Sequence, residues 1–287
     1  MNESSEWFEI QEIKKYFYVI RERLDLIDPR FRTEFTNIFL LLGSKKALLL
    51  DTGSGLYPIK PVVEKIIEDR ELIVLNTHSH FDHIGGNEEF EQVYIHEKET
   101  SNIEKQFDAF FLKNSPMKIV ERYKERKFMF NPVKSVISIE DGKIFDLGGI
   151  TLKVINTPGH SNGSICLLSD NGELFTGDTA HYGTLFLPTP KEMPIFINSI
   201  TKLLEIVNNN PNIEIYPSHE QFPVGKEIFK EMISGFKNLK NLKSTRITDR
   251  DFGSWIYKGD KFDYSAPITP LIRRFAVFIS GKIFKSR

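Results

Sequence analysis

The chain has 287 residues, 40% of them hydrophobic and 27% charged, with 38 Lys+Arg against 39 Asp+Glu and a formal net charge of −1. That balance excludes global disorder, and it leaves no overall basic field with which to coat a polyanion, so nucleic acid is not an expected partner. The one cysteine, Cys166, excludes a disulfide framework and a multi-cysteine zinc finger.

The opening run MNESSEWFEIQEIKK is acidic and amphipathic, unlike a secretory signal. No window reaches the roughly 18 apolar residues that span a bilayer, so a cytoplasmic location is expected. Residues 17–26 (FYVIRERLDL) and 36–50 (TNIFLLLGSKKALLL) are apolar and partly β-branched, and the Gly43-Ser44-Lys45-Lys46 stretch predicts a hairpin turn inside the second. That strand runs into Asp51-Thr52-Gly53-Ser54-Gly55, a loop at a sheet edge. Residues 59–70 then show helical spacing at Val62, Val63, Ile66 and Ile67.

A strand at 72–75 opens onto Thr77-His78-Ser79-His80-Phe81-Asp82-His83-Ile84-Gly85-Gly86, and 93–95 is a further strand. Residues 101–131 read as a helical insert, aromatic and basic toward their end. From about 133 the pattern turns β, with turns at Asp141-Gly142 and Gly148-Gly149 and a hairpin at Asn171-Gly172. Helices are predicted at 195–209 and 225–243, with a strand at 213–216 between them that ends in Pro217-Ser218-His219. The order of elements predicts an α/β fold of two similar halves, each placing metal-type residues just beyond strand ends. Residues 1–235 are expected to form the catalytic domain, and 236–287 a helical, basic extension packed on it.

His78, His80, Asp82 and His83 fall within six residues. An H-x-H spacing in a turn lets two imidazoles converge on one ion, while Asp82 and His83 can point at a neighbouring one. Imidazole and carboxylate suit zinc, iron or manganese. His160 in TPGHS, Asp178 in TGDT and His219 in YPSH share the same context of a strand end followed by a turn. Together these residues supply seven ligands, enough for two divalent ions with one shared carboxylate.

Asp51, the THSHFDH run, His160, Asp178 and His219, in this order, resemble the five motifs of the metallo-β-lactamase fold hydrolases across residues 15–235. The resemblance implies a four-layer αββα sandwich with metals at its edge. It places His78, His80 and His160 on a first ion, Asp82, His83 and His219 on a second, and Asp178 between them. Asp51 resembles the acid of the family's first motif, which supports the site from behind by fixing a ligand imidazole. Several departures narrow the choice. True β-lactamases of the fold lack the bridging acid at the Asp178 position, nuclease members insert a domain where the gap from Asp178 to His219 is short here, and diiron flavoproteins carry Glu at the His80 position. The pattern is most similar to the glyoxalase-II-like group, and within it to the acyl-coenzyme A thioesterases.

The chemistry expected of such a site is attack on a thioester carbonyl by a hydroxide held between two ions, zinc before iron or manganese, with Asp82 orienting the nucleophile and passing on a proton. An acyl-CoA-like or glutathione thioester suits it because a thiolate leaves without strong protonation. A lactone is the alternative substrate. A mononuclear iron persulfide dioxygenase using His78, His160 and Asp178 is the alternative chemistry. His181 and Tyr182 are candidate substrate contacts. Cys166 falls in an apolar strand pattern and is expected in the core, and His96 fits no motif and is expected at the surface. The 101–131 insert is the candidate specificity element, either as a lid with an acyl-lining face (Phe107, Phe110, Phe111, Leu112) and cations toward a coenzyme phosphate, or as an amphipathic helix pair covering a sheet. The tail PLIRRFAVFISGKIFKSR could lie on an anionic membrane, on the protein body or on a second subunit of a homodimer.

Overall fold

In a computed structural model, residues 7–28, 30–239, 241–242, 246–249 and 253–267 are described. The chain forms two compact units. The first holds the described residues up to Glu140 together with Phe145–Thr151, and the second holds Asp141–Ile144 and the described residues from Leu152 onward.

The first unit is built on a seven-stranded sheet of β1 (Glu9–Lys14), β2 (Phe17–Arg23), β3 (Phe35–Leu42), β4 (Lys46–Leu50), β5 (Glu71–Leu75), β6 (Gln92–His96) and β9 (Ser135–Ile139), adjacent in that order. The hydrophobic pattern explains the arrangement. β3 carries Ile38, Phe39, Leu40 and Leu41 with no solvent exposure, a continuous apolar run of the kind a central strand covered on both faces requires. Each such side chain contributes about 2 kcal/mol by leaving water. The predicted turn at Gly43 joins β3 to β4 in antiparallel register, Leu42 opposite Ala47. β4, β5, β6 and β9 are parallel, and the helix α2 (Lys60–Ile67), which follows the short α1 (Leu24–Ile27), makes the crossover between β4 and β5 and buries Val62, Val63 and Ile67. Because β4 and β5 run the same way, the loops after Leu50 and Leu75 leave the sheet at one edge; Asp51 N donates to Leu75 O at 2.8 Å.

After the single turn α3 (Phe81–Ile84) and a second short turn, α4 (Thr100–Ile103), comes the insert. Residues 101–131, expected to be helical, hold the end of α4, a 3-10 helix at Phe110–Asn114 and one nine-residue α-helix, α5 (Met117–Glu125), with a short ladder of β7 (Phe107–Asp108) and β8 (Met129–Phe130) among them. Two features of the sequence cut the helix short. Pro116 stands at its start, and Lys127 and Phe128 take left-handed backbone angles after its end. The Phe107 and Phe130 rings stack 4.6 Å apart and close the base of the ladder.

The second unit holds β11 (Thr151–Asn156), β12 (Ile165–Ser169), β13 (Glu173–Gly177) and β15 (Glu214–Pro217), which follow β10 (Ile144–Asp146). β11, β12 and β13 alternate in direction, and β15 lies parallel to β13. It follows that β11, β13 and β15 point the same way. Helices α6 (Met193–Asn209) and α7 (Glu227–Asn238) bury Phe196, Ile200, Leu203, Phe229 and Met232 in this unit's core. The segment after 236, expected to be helical, instead becomes β16 (Ile247–Asp249), β17 (Ser254–Lys258) and β18 (Phe262–Pro267), with β18 pairing to β14 (Gly183–Phe186). The reason is local: Trp255, Ile256, Tyr257, Phe262 and Tyr264 favour a pleated surface, and the turn between the strands closes with Gly259 N on Phe262 O at 3.1 Å. The basic tail lies outside the described residues. Among the described residues no helix is long and apolar enough to cross a membrane.

Candidate functional site

In the first unit the donors hang from the carboxyl ends of β4 and β5. Asp51 follows Leu50 with φ of 68°, a left-handed conformation that costs a non-glycine residue about 1 kcal/mol. Its buried carboxylate uses that conformation fully. It accepts Thr77 N at 2.7 Å and Thr77 Oγ1 at 2.9 Å, and its Oδ2 takes the Nδ1 proton of His83 at 2.8 Å. Thr77 has one hydroxyl hydrogen, and Asp51 receives it. The hydroxyl therefore accepts from His78 Nδ1, 3.0 Å away. Both imidazoles are thereby set as the tautomer with Nδ1 protonated and Nε2 carrying the lone pair, the state a metal ligand needs.

The rings cluster. His78 lies 4.5 Å from His80 and 4.2 Å from His83, centroid to centroid. His80 opens α3, whose turn closes when His83 N donates to His80 O at 3.0 Å. The His83 carbonyl is gripped by Thr52 N at 2.9 Å and by Asn76 Nδ2 at 3.1 Å. Asp82 Oδ2 stands 3.6 Å from His83 Nε2, and with its side chain 18% exposed it is the more open of the two carboxylates here. Beneath the H-x-H run, Ser79 Oγ donates to buried Glu99 and accepts from Asn102 Nδ2.

In the second unit the three parallel strands deliver one donor each. β11 leads to His160, β13 to Asp178 and β15 to His219. Gly177 lies opposite Pro217 in the parallel register, which brings the last two together. Asp178 turns one oxygen to each histidine, Oδ2 at 3.4 Å from His160 Nε2 and Oδ1 at 3.0 Å from His219 Nε2. The His160 turn needs the glycine before it: a Cβ on Gly159, whose φ is 152°, would sit 2.3 Å from the Phe196 ring of α6. Cys166 is fully buried, and burial first of all pushes its thiol up to about 11, so it supplies no thiolate nucleophile.

The sequence-predicted residues therefore sort as follows. His78, His80, Asp82, His83 and Asp51 gather in one unit, and His160, Asp178 and His219 in the other. His181 stands beside its unit's donors, its ring 5.1 Å from His219, and its Nδ1–H donates to Tyr182 O at 2.7 Å. Tyr182 turns elsewhere. Its hydroxyl donates to Glu231 at 2.8 Å, its ring stacks on Phe262 at 5.3 Å, and burial followed by the Glu231 contact holds its pKa up at about 12. His96, expected at the surface, is buried, because β6 places it inward and Lys98 N donates to its Nδ1. In the insert, Arg122 covers the Tyr57 ring at 3.7 Å and Arg126 donates to Gly55 O at 2.7 Å, so these two cations are bound to the protein itself. Sequence reasoning passed over Glu22 and Glu99, both buried acids. The one signal for Glu22 was an acid at an inward position of an apolar strand.

The family model described as the metallo-beta-lactamase superfamily matches residues 32–219. The acyl-coenzyme A thioesterase MBLAC2 of Homo sapiens is 29% identical over 233 residues, which cover 75% of this chain and 81% of that protein. A probable metallo-hydrolase of Methanocaldococcus jannaschii is 33% identical over 196 residues, covering 64% of this chain and 87% of that protein. A metallo-beta-lactamase family protein from Thermus thermophilus superposes with a TM-score of 0.60 at 19% identity, over 82% of this chain and 84% of its own.

Proposed function

The chain belongs to the metallo-beta-lactamase superfamily, has its fold and is a hydrolase, and from that premise we propose that it cleaves a thioester, acyl-coenzyme A-like or glutathione-derived, with the help of two divalent ions. In this proposal His78, His80 and His160 would hold the first ion, Asp82, His83 and His219 would hold the second, and Asp178 would be shared between them. The observation that carries it is the Asp178 carboxylate, with one oxygen on His160 and the other on His219.

The donor set fits zinc. It consists of imidazoles and carboxylates with no competing thiolate, and the protons of His78 and His83 are already committed at Nδ1. Divalent ions so held supply Lewis acidity, polarising a carbonyl and making water acidic enough to ionise near neutral pH. The chain's own residues do the rest. Asp51 and Thr77 keep two imidazoles from rotating. Asp82, the more open carboxylate, accepts at its Oδ atoms the proton that the attacking water gives up. His181, whose Nδ1 donates to Tyr182 O and whose ring lies 5.1 Å from that of His219, is the residue assigned to contact the substrate.

A thioester agrees with the thioesterase activity for which MBLAC2 is named and with the buried, protonated Cys166 thiol, and its leaving group is stable as an anion. A panel of acyl-CoA thioesters, glutathione thioesters and lactones, assayed with zinc-reconstituted full-length protein, tests the proposal. Thioester turnover well above lactone turnover is expected; cleavage of lactones alone would refute it.

A further inference from the structure

Glu22 is a carboxylate with 1% exposure in β2, on the same face as the buried Ile20, in a strand that also buries Phe17 and Val19 on its other face. It accepts three hydrogen bonds, from Trp7 Nε1 at 2.8 Å, from Ser54 N at 2.8 Å and from Ser54 Oγ at 2.6 Å. Ser54 Oγ in turn accepts from Leu56 N at 3.3 Å. The fit beneath the turn is close enough that a Cβ on Gly53 would stand 2.8 Å from Glu22 Oε2. Three residues of this turn, Asp51, Gly53 and Gly55, have left-handed backbone angles, and Asp51 lacks a glycine's freedom to adopt one. Such a conformation persists only where the surroundings over-determine it. Upstream, Asp51 N is tied to Leu75 O; downstream, Thr52 N is held on His83 O, Gly53 O by Gly85 N and Gly55 O by Arg126, and the Ser54 N–H and hydroxyl between them are held by Glu22.

Charge at this position works against folding. Burial, the largest influence, raises the carboxyl above its ordinary range, against the lowering effect of Ser54 and Trp7, with Asp82 adding a smaller push upward. An acid whose folded pKa is raised lowers stability above the ordinary carboxylate range, and that loss is relieved as pH falls. A residue kept only for packing would do better uncharged. What a carboxylate adds is charge-assisted acceptance from three donors at once, which stiffens the turn.

We propose that Glu22 is a positioning residue: it clamps residues 53–55 from below, so that Asp51 keeps its reach to Thr77 and His83 and both imidazoles stay aimed as metal donors. This rests on the dinuclear reading above. The test is zinc affinity of the full-length protein, read by competition with a chromophoric chelator, alongside the melting temperature of the metal-free form at pH 8. Wild-type protein should take up two zinc ions per chain. Glu22→Gln should weaken zinc binding at both positions by about ten-fold or more, the range for residues that orient metal ligands, while the metal-free melting temperature stays level or rises; saturating zinc should restore kcat. Ser54→Ala, which deletes one of the three donors, should weaken zinc binding by a smaller factor, and it decides the matter if Glu22→Gln does not fold. Wild-type zinc affinity in the variants would overturn the inference and leave the dinuclear reading standing. A fall in zinc affinity accompanied by a fall in the metal-free melting temperature would also overturn it, by making Glu22 merely structural. Wild-type protein that takes up no second ion would overturn the dinuclear reading, and this inference with it.

Discussion

Asp51 shows how a single side chain can govern several others. Its two oxygens settle the position of Thr77 and the tautomer of His83, and through the Thr77 hydroxyl the tautomer of His78. Asp51→Asn keeps the shape but can present an N–H where His83 Nδ1 needs an acceptor. The expected outcome is a 10- to 100-fold loss of zinc affinity with the fold intact by circular dichroism; affinity equal to wild type would show that the carboxylate does not set the imidazoles. The seven candidate donors could be picked out from the sequence because their type and strand-end context are written in a few consecutive letters. Glu22, Glu99 and the burial of His96 were not, because their roles depend on depth, and depth is set by residues far along the chain. Tyr182 carried a substrate-contact pattern whose fate was decided by Glu231 and Phe262, 49 and 80 positions downstream (231 − 182 and 262 − 182).

At the scale of elements, strand direction does the positioning. β4 and β5 are parallel in one unit, and β11, β13 and β15 share a direction in the other, so each set of donors leaves its sheet at the carboxyl end. The strands themselves were legible from their apolar runs, as were the hairpin at Asn171-Gly172 and the helix α6. The insert was read too simply as helix, since Pro116 and the left-handed pair at 127–128 confine the helix to nine residues. The C-terminal hairpin was not legible because the alternating aromatics of β17 and β18 are few and stand among charged residues, Lys258, Asp260, Lys261 and Asp263, that mask the period of two. The insert is tied to its own unit by Arg30 on Phe111 O at 2.8 Å, Ser115 on Asp28 at 2.7 Å, Arg126 on Gly55 O and the Arg126–Glu88 ion pair. A segment held this way should not swing as a lid. Amide exchange of 117–125 in the metal-free protein is expected to be slow, well protected relative to exposed loops; exchange at loop-like rates would restore the lid.

Across the whole molecule, nearly balanced charge leaves recognition to the site and not to a long-range field. Family membership supplies the fold and the class of reaction. We propose that this chain hydrolyses a thioester with the help of two divalent ions. A zinc titration of chelator-stripped full-length protein, followed by acyl-CoA hydrolysis, decides between this and other chemistries of the fold. Turnover should vanish on stripping and climb to a plateau at two equivalents of zinc per chain. Turnover that survives stripping, or that returns only with one equivalent of ferrous iron and the uptake of oxygen, would contradict it.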